Sequence, residues 1–182
     1  DLEKMSMAAR YNIPSRWLWV VACLFFLVVH FQDHRACCAA TDSDTVFSAP
    51  VTRVIDGDTI EVRRLGKIVR VRLWGIDTPE WQQGFSREAR EFTRRRLAGR
   101  QVELRVKTWD TYGRLVAMVM VDGNSFNEEL LRKGLAWVHI YYCKEPICRQ
   151  WRKLEKEARQ AGRGLWRESH PVAPWQWKQT HR

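Results

Sequence analysis

Four carboxylates stand in short turns that flank strand-like runs: Asp56, Asp58, Asp77 and Glu80. Hard oxygen donors of this kind suit Ca²⁺ or Mg²⁺. Two arginines, Arg72 and Arg114, belong to the same stretch of chain. A guanidinium is planar, permanently charged and able to bond two phosphate oxygens at once. Phosphodiester hydrolysis requires a Lewis acid on the phosphate, a group that activates or places water, and cations for the extra negative charge of the transition state. This subset of residues holds a candidate for each role. Each piece also has a plainer reading on its own. Asp56-Gly57-Asp58 is a common hairpin turn, and it lacks the donor spacing and closing Glu of an EF-hand. Asp77-Thr78-Pro79-Glu80 is a turn, Asp110 to Arg114 a hairpin loop, and Arg72 a strand residue that alternation places away from the core.

The elements that must hold these residues follow from the punctuation of the chain. Val51–Ile55 reads as a strand, Asp56-Gly57-Asp58 as a turn and Thr59–Arg64 as a second strand. After Leu65-Gly66-Lys67, the run Ile68–Trp74 sets Val69, Val71 and Leu73 on one face and Arg70 and Arg72 on the other. Ser86–Ala98 is helical, with Phe85, Ala89 and Phe92 along one side and Gly99 as a stop. Gln101–Lys107 alternates again, and Leu115–Val121 is apolar on both faces, as a buried strand is. Ser125 with Glu128 is a capping-box signature for a short helix ending at Gly134. A last helix from about Ile147 to Ala161 carries Trp151, Leu154 and Ala158 on one stripe. Five strands, one interrupting helix and two more after them predict a compact α+β unit rather than a doubly wound sheet.

The ordered runs Val54 to Ile60, Val71 to Glu80 and Asp110 to Arg114 resemble the staphylococcal-nuclease-like (thermonuclease) family. Asn127 to Trp137 and the closing Gly164-Leu165-Trp166 are similar to its pattern too, so the resemblance spans roughly residues 50–168. It implies a five-stranded OB-fold β-barrel with three helices and one active-site Ca²⁺. Direct calcium ligands would be Asp58, Asp77 and the Thr78 carbonyl, with Asp56 close by through water. Arg72, Glu80 and Arg114 would be the catalytic residues: Glu80 as general base or orienter of the attacking water, the two arginines on the scissile phosphate. Tyr112 and Tyr142 would bind substrate, by stacking on a base or bonding a phosphate. The activity implied is hydrolysis of DNA and RNA, single-stranded or locally melted, that cuts P–O5′ and leaves 3′-phosphate ends, by a monomer with no obligate protein partner. Two departures stand out. Trp81 to Phe85 is shorter than the type member's loop and carries no lysine, and Cys143 and Cys148 precede the last helix.

The 182 residues leave room for one domain and a leader. The chain is 45% hydrophobic with ten Trp, enough for a core, and its formal charge of +10 implies a polyanionic partner. Lys4, Arg10 and Arg16 precede the uncharged apolar run Trp17 to Val29. That run is short of the roughly 20 residues needed to span a bilayer, and suits the core of an export signal. The expected division is therefore a signal peptide or membrane anchor over 1–40, a linker over 41–50, a nuclease-like domain over 51–168 and a Trp-rich tail over 169–182. The expected location is secreted or periplasmic, with any membrane attachment confined to the N-terminal segment if it is kept. Of five cysteines, Cys143 and Cys148 would survive cleavage near Ala40, as a candidate disulfide. The main rival is a non-catalytic nucleic-acid-binding module on the same barrel, which would lack the charged positions that this chain retains.

Overall fold

A computed structural model describes residues 45–181 of the chain. The expected leader, residues 1–40, lies outside them, and no helix among the described residues is long and apolar enough to cross a membrane.

Five long strands make the body: β1 (Val46–Val54), β2 (Thr59–Arg64), β3 (Lys67–Leu73), β5 (Gln101–Trp109) and β6 (Leu115–Val121). Neighbouring strands pair antiparallel in the order β3-β2-β1-β5-β6, and a parallel pairing of β3 with β6 closes the sheet into a barrel. The α+β fold is thus of the OB type. Closure leaves the barrel without open edges along that seam. Alternation decides which residues enter. Ala49 and Val51 from β1, Ile60 and Val62 from β2, Val71 and Leu73 from β3, and Val102, Leu104 and Val106 from β5 are all buried. Register slips at Val51/Arg53 in β1 and at Val106/Thr108 in β5 mark bulges, which sharpen the bending of those strands.

Helix α1 (Ser86–Leu97) crosses one end of the barrel and buries Ala89, Thr93 and Leu97. Helix α2 (Phe126–Arg132) plugs the core with Phe126, Leu130 and Leu131. Ser125 caps it by accepting the Glu128 N–H at 3.4 Å, while the Glu128 side chain turns instead to the Trp151 indole N–H at 3.1 Å and to Arg132. Helix α3 (Ile147–Gln160) packs against α2 through the fully buried Trp151. Two short strands, β4 (Ile76–Asp77) and β8 (Trp137–Val138), pair antiparallel, and β7 (Asn124–Ser125) extends the sheet beside β6. Trp74 and Trp137 are both packed inside, as their strand-like surroundings predict.

The expectation for the N-terminal edge of the domain is corrected. The part of the 41–50 linker that is described, from Val46 on, is strand: Val46 to Pro50 pair residue by residue with Arg105 to Gln101. The Trp-rich tail after residue 168 is in part regular structure. It forms a fourth helix, α4 (Pro174–Thr180), behind a 3₁₀ turn at Gly164–Arg167. Trp175 reaches back to Trp137, with ring centroids 5.9 Å apart, and Trp137 meets Trp166 edge-on at 4.4 Å.

Candidate active site

The Asp56-Gly57-Asp58 turn joins β1 to β2 and is seated on α1. Gly57 has no room for a side chain, because a Cβ there would lie 2.7 Å from the Thr78 hydroxyl and 2.9 Å from Ala89. Its carbonyl accepts a 2.6 Å hydrogen bond from the buried Thr93 hydroxyl. Thr93 is a residue the sequence reading missed, since nothing local links a helix threonine to a turn 36 residues earlier. The Asp56 carboxylate accepts the Asp58 N–H at 3.0 Å, which locks the turn.

Asp58 then reaches across to the segment after β4. One of its oxygens accepts both the Thr78 N–H at 2.6 Å and the Thr78 hydroxyl at 2.8 Å. Its other oxygen meets the Arg72 guanidinium, whose second NH₂ group binds Asp77. Arg72 does project from the polar face of β3, but it is not solvated. Its side chain is only 14% exposed because the two aspartates close over it. The turns therefore supply a compensated cluster, Asp58–Arg72–Asp77, with Asp56 behind it.

Four carboxylates (Asp56, Asp58, Asp77, Glu80) face two cations (Arg72, Lys178) in this region. Burial dominates the titration behaviour of these aspartates. Burial, with the neighbouring Asp58 charge, pushes Asp56 up to about 7. Burial raises Asp77 to about 6 against the pull of Arg72. Asp58 is buried too, but Arg72 and the two Thr78 donors outweigh that and hold it below the ordinary carboxylate value. Arg72 is itself buried, yet the aspartates around it hold its protonated form more firmly than usual.

Arg114 sits at the mouth of the β5–β6 hairpin, where Asp110 Oδ1 accepts the N–H groups of Tyr112 and Arg114, both at 2.9 Å. The Arg114 Nε donates to Asp110 Oδ2 at 2.7 Å, and the guanidinium lies over the Tyr112 ring, 5.5 Å from its centre. Because β3 pairs in parallel with β6, with Val71 opposite Leu115 and Arg72 opposite Val116, Arg114 comes to the same barrel end as Arg72. Tyr112 and Tyr142 are both largely exposed, Tyr142 with its ring 4.5 Å from His139. His139 is half-buried and packs also on Trp175, and burial lowers it to about 4, helped by the positive charges of Arg72 and Lys178. Its role is packing.

Cys143 and Cys148 are joined by a disulfide, with their Cα atoms 5.6 Å apart. The bridge closes the loop between Tyr142 and α3.

Glu80 and Gln83 complete the site. The Glu80 N–H donates to the Gln83 side-chain oxygen at 2.9 Å, and Glu80 Oε1 accepts from Lys178 of α4 at 2.8 Å. Lys178 is another residue the sequence reading missed. A groove of about 610 Å³ opens beside the cluster, lined by Asp56, Asp58, Glu80, Trp81, Arg87 and Arg90 among others. Trp81 stands 76% exposed on its wall.

The donor chemistry fits a hard divalent cation: clustered carboxylate oxygens, and two aspartates whose ionisation burial opposes. Among the described residues, however, no three such side chains already converge on one point in ligating geometry.

Residues 70–168 match the sequence model of the Staphylococcal nuclease homologue family. An endonuclease of Escherichia coli O157:H7, itself named as uncharacterized, is 41% identical over 129 residues, which cover 70% of this chain and 82% of that protein. A micrococcal nuclease of Shigella flexneri is 34% identical over 143 residues, covering 74% of this chain and 82% of its own length. A staphylococcal-like nuclease of Arabidopsis thaliana is 38% identical over 118 residues, which are 65% of this chain and 36% of the plant protein.

Proposed function

The chain belongs to the staphylococcal nuclease homologue family and is a nuclease, and from that premise we propose that it is an exported, calcium-dependent enzyme that cuts DNA and RNA and leaves 3′-phosphate ends. The observation that carries this reading is the Asp58–Arg72–Asp77 cluster with Glu80 beside it, at the barrel end that Arg114 also reaches. Asp58, Asp77 and the Thr78 carbonyl would hold the calcium ion, with Asp56 behind them. When bound, the ion supplies Lewis-acid polarisation of the phosphate.

The protein's own residues do the rest. Glu80, on the rim of the groove, takes a proton from the attacking water or orients it. The new O–P bond forms as the P–O5′ bond breaks, and the 5′ oxygen departs with the electron pair and gains a proton. Arg114 and Arg72 stabilise the charge that accumulates on the phosphoryl oxygens. Arg114 is held by a single carboxylate, Asp110, and only partly buried, so a phosphate can compete for it. Arg72 is clamped by two aspartates, and recruiting it to phosphate requires that those carboxylates find another cation. Calcium held by Asp58 and Asp77 would be such a cation. Tyr112 and Tyr142 offer exposed ring faces to bases of an unpaired strand. The Cys143–Cys148 disulfide favours an oxidising compartment, in keeping with export.

The test is cleavage of single-stranded DNA, duplex DNA and RNA by the full chain, in Ca²⁺ and in excess chelator, with Glu80→Gln alongside. The expected result is calcium-dependent cleavage that collapses in the variant. Binding without cleavage in calcium, magnesium or manganese would replace the reading with that of a non-catalytic nucleic-acid-binding barrel.

A further inference from the structure

The C-terminal helix α4 lies beyond the part of the chain that matches the family, residues 70–168, yet it reaches the middle of the site. Two separate links tie it to Glu80. The first runs through the main chain. The Gln83 amide accepts the Glu80 N–H at 2.9 Å with its oxygen and donates to the Val172 carbonyl at 2.6 Å with its nitrogen. One buried side chain thus fixes the backbone of Glu80 against the segment leading into α4. The second link is the ion pair from Lys178 to Glu80 Oε1 at 2.8 Å. Among the described residues it is the only ion pair that Glu80 makes.

The helix that delivers Lys178 is anchored by packing rather than left to float. Ala173 and Pro174 are buried, and Trp175 packs on Trp137 and, at 5.2 Å, on His139. Lys178 also lies near Asp77, and the two carboxylates together outweigh its partial burial and keep it firmly protonated. A lysine carries roughly 2 kcal/mol of rotamer entropy. The pair is itself partly exposed, Lys178 at 51% and Glu80 at 32%, so what holds it in one place is the docking of its helix.

We propose that α4 is a working part of the active site and that Lys178 is a positioning residue for Glu80, holding its carboxylate in the orientation needed to place the attacking water. This rests on the reading of Glu80 as the water-activating group. Lys178 acts through Glu80 rather than on the phosphate, so its loss should lower turnover and not substrate binding.

The experiment compares wild type, Lys178→Met and Lys178→Arg as full-length chains, with kcat and KM on a short single-stranded DNA, Ca²⁺ affinity by calorimetry and thermal melts. Misplacement of a catalytic group by about 1 Å costs on the order of a hundredfold in rate, and a partly restrained one less. Lys178→Met should therefore lower kcat by at least about tenfold with KM within about twofold of wild type, and Lys178→Arg should recover most of that loss. Calcium should bind Lys178→Met as tightly as wild type or more tightly, because a cation has been removed from beside the carboxylates. The proposal is overturned if kcat is unchanged or rises, if KM carries the loss, if arginine fails to rescue a variant that melts normally, or if calcium binding weakens tenfold. Should wild type itself fail to cleave, it is the nuclease mechanism that fails, and that outcome is distinct from wild type and Lys178→Met cleaving alike.

Discussion

Arg72→Met is the substitution that puts the most energy at stake. It keeps the length of the apolar stem on β3 and removes the one cation that lies between Asp58 and Asp77. Removing one partner of a buried ion pair, and so leaving a buried charge uncompensated, costs about 3–5 kcal/mol. Here two aspartates are stranded, 7% and 2% exposed in their side chains. The loss has a ceiling, because a stranded carboxylate can take up a proton instead of remaining charged. At pH 7 in chelator we expect a loss of about 3–5 kcal/mol, or a melting point lower by on the order of 10 °C for a domain of this size. At pH 5 the loss should shrink, since protonating Asp77 and Asp56 then costs less. Calcium should restore stability to the variant more than it adds to wild type, and should not restore cleavage. Chemical denaturation at both pH values, with and without calcium, reads all of these. A variant within 1 kcal/mol of wild type at pH 7 in chelator would show that the Asp58–Arg72–Asp77 cluster is not the compensated buried triad described.

Three further outcomes are expected. In chelator, wild type should lose stability as pH rises from about 4 towards 7. Asp56 and Asp77 have folded values raised above the ordinary 3.8, so their contribution is complete below 3.8 and fades through about 6 to 7. Asp56→Asn should flatten part of that decline, which thermal melts against pH would reveal; parallel curves would reject the assignment. Thr93→Val leaves the buried Gly57 carbonyl without its donor and should cost about 1–3 kcal/mol in denaturant titrations. Because Gly57 lies between the two turn aspartates, calcium affinity should fall with it. Trp81→Ala should weaken single-stranded DNA binding, followed by fluorescence anisotropy in chelator, by about 1–3 kcal/mol while leaving the melting point in place, since the indole is exposed on the groove wall.

What the sequence makes legible here is whatever its local punctuation controls. The bounds of β2 and β6 are those expected, because turn residues sit at both ends of each run and the apolar pattern between them is unbroken. Val46 to Pro50 reads as linker because Ser48 and Pro50 are turn-forming residues. Yet Ala49 is buried, and the segment is held by its partner β5 rather than by its own propensity. Alternation assigns Arg72 to the correct face, but only the approach of two turns from elsewhere makes that face a buried one. Lys178 and Gln83 have no local signature at all. The links that bring α4 to the site run from Lys178 to Glu80 and from Gln83 to Val172, 98 and 89 residues apart along the chain, and no window of periodicity spans such a distance.

The parallel seam between β3 and β6 has a consequence for when the protein becomes dangerous to its own cell. The pieces of the site are separated along the chain, and a ribosome releases them in order. Arg72 emerges with the aspartate turns, Arg114 later, and Lys178 after both. Until Leu115 pairs with Val71, nothing brings Arg114 to the end of the barrel that holds the aspartates. Pairings of such sequence separation form late, after the cost of closing the intervening loop has been met. A nascent or unravelled chain is therefore a string of harmless charges. Only a folded one brings them together.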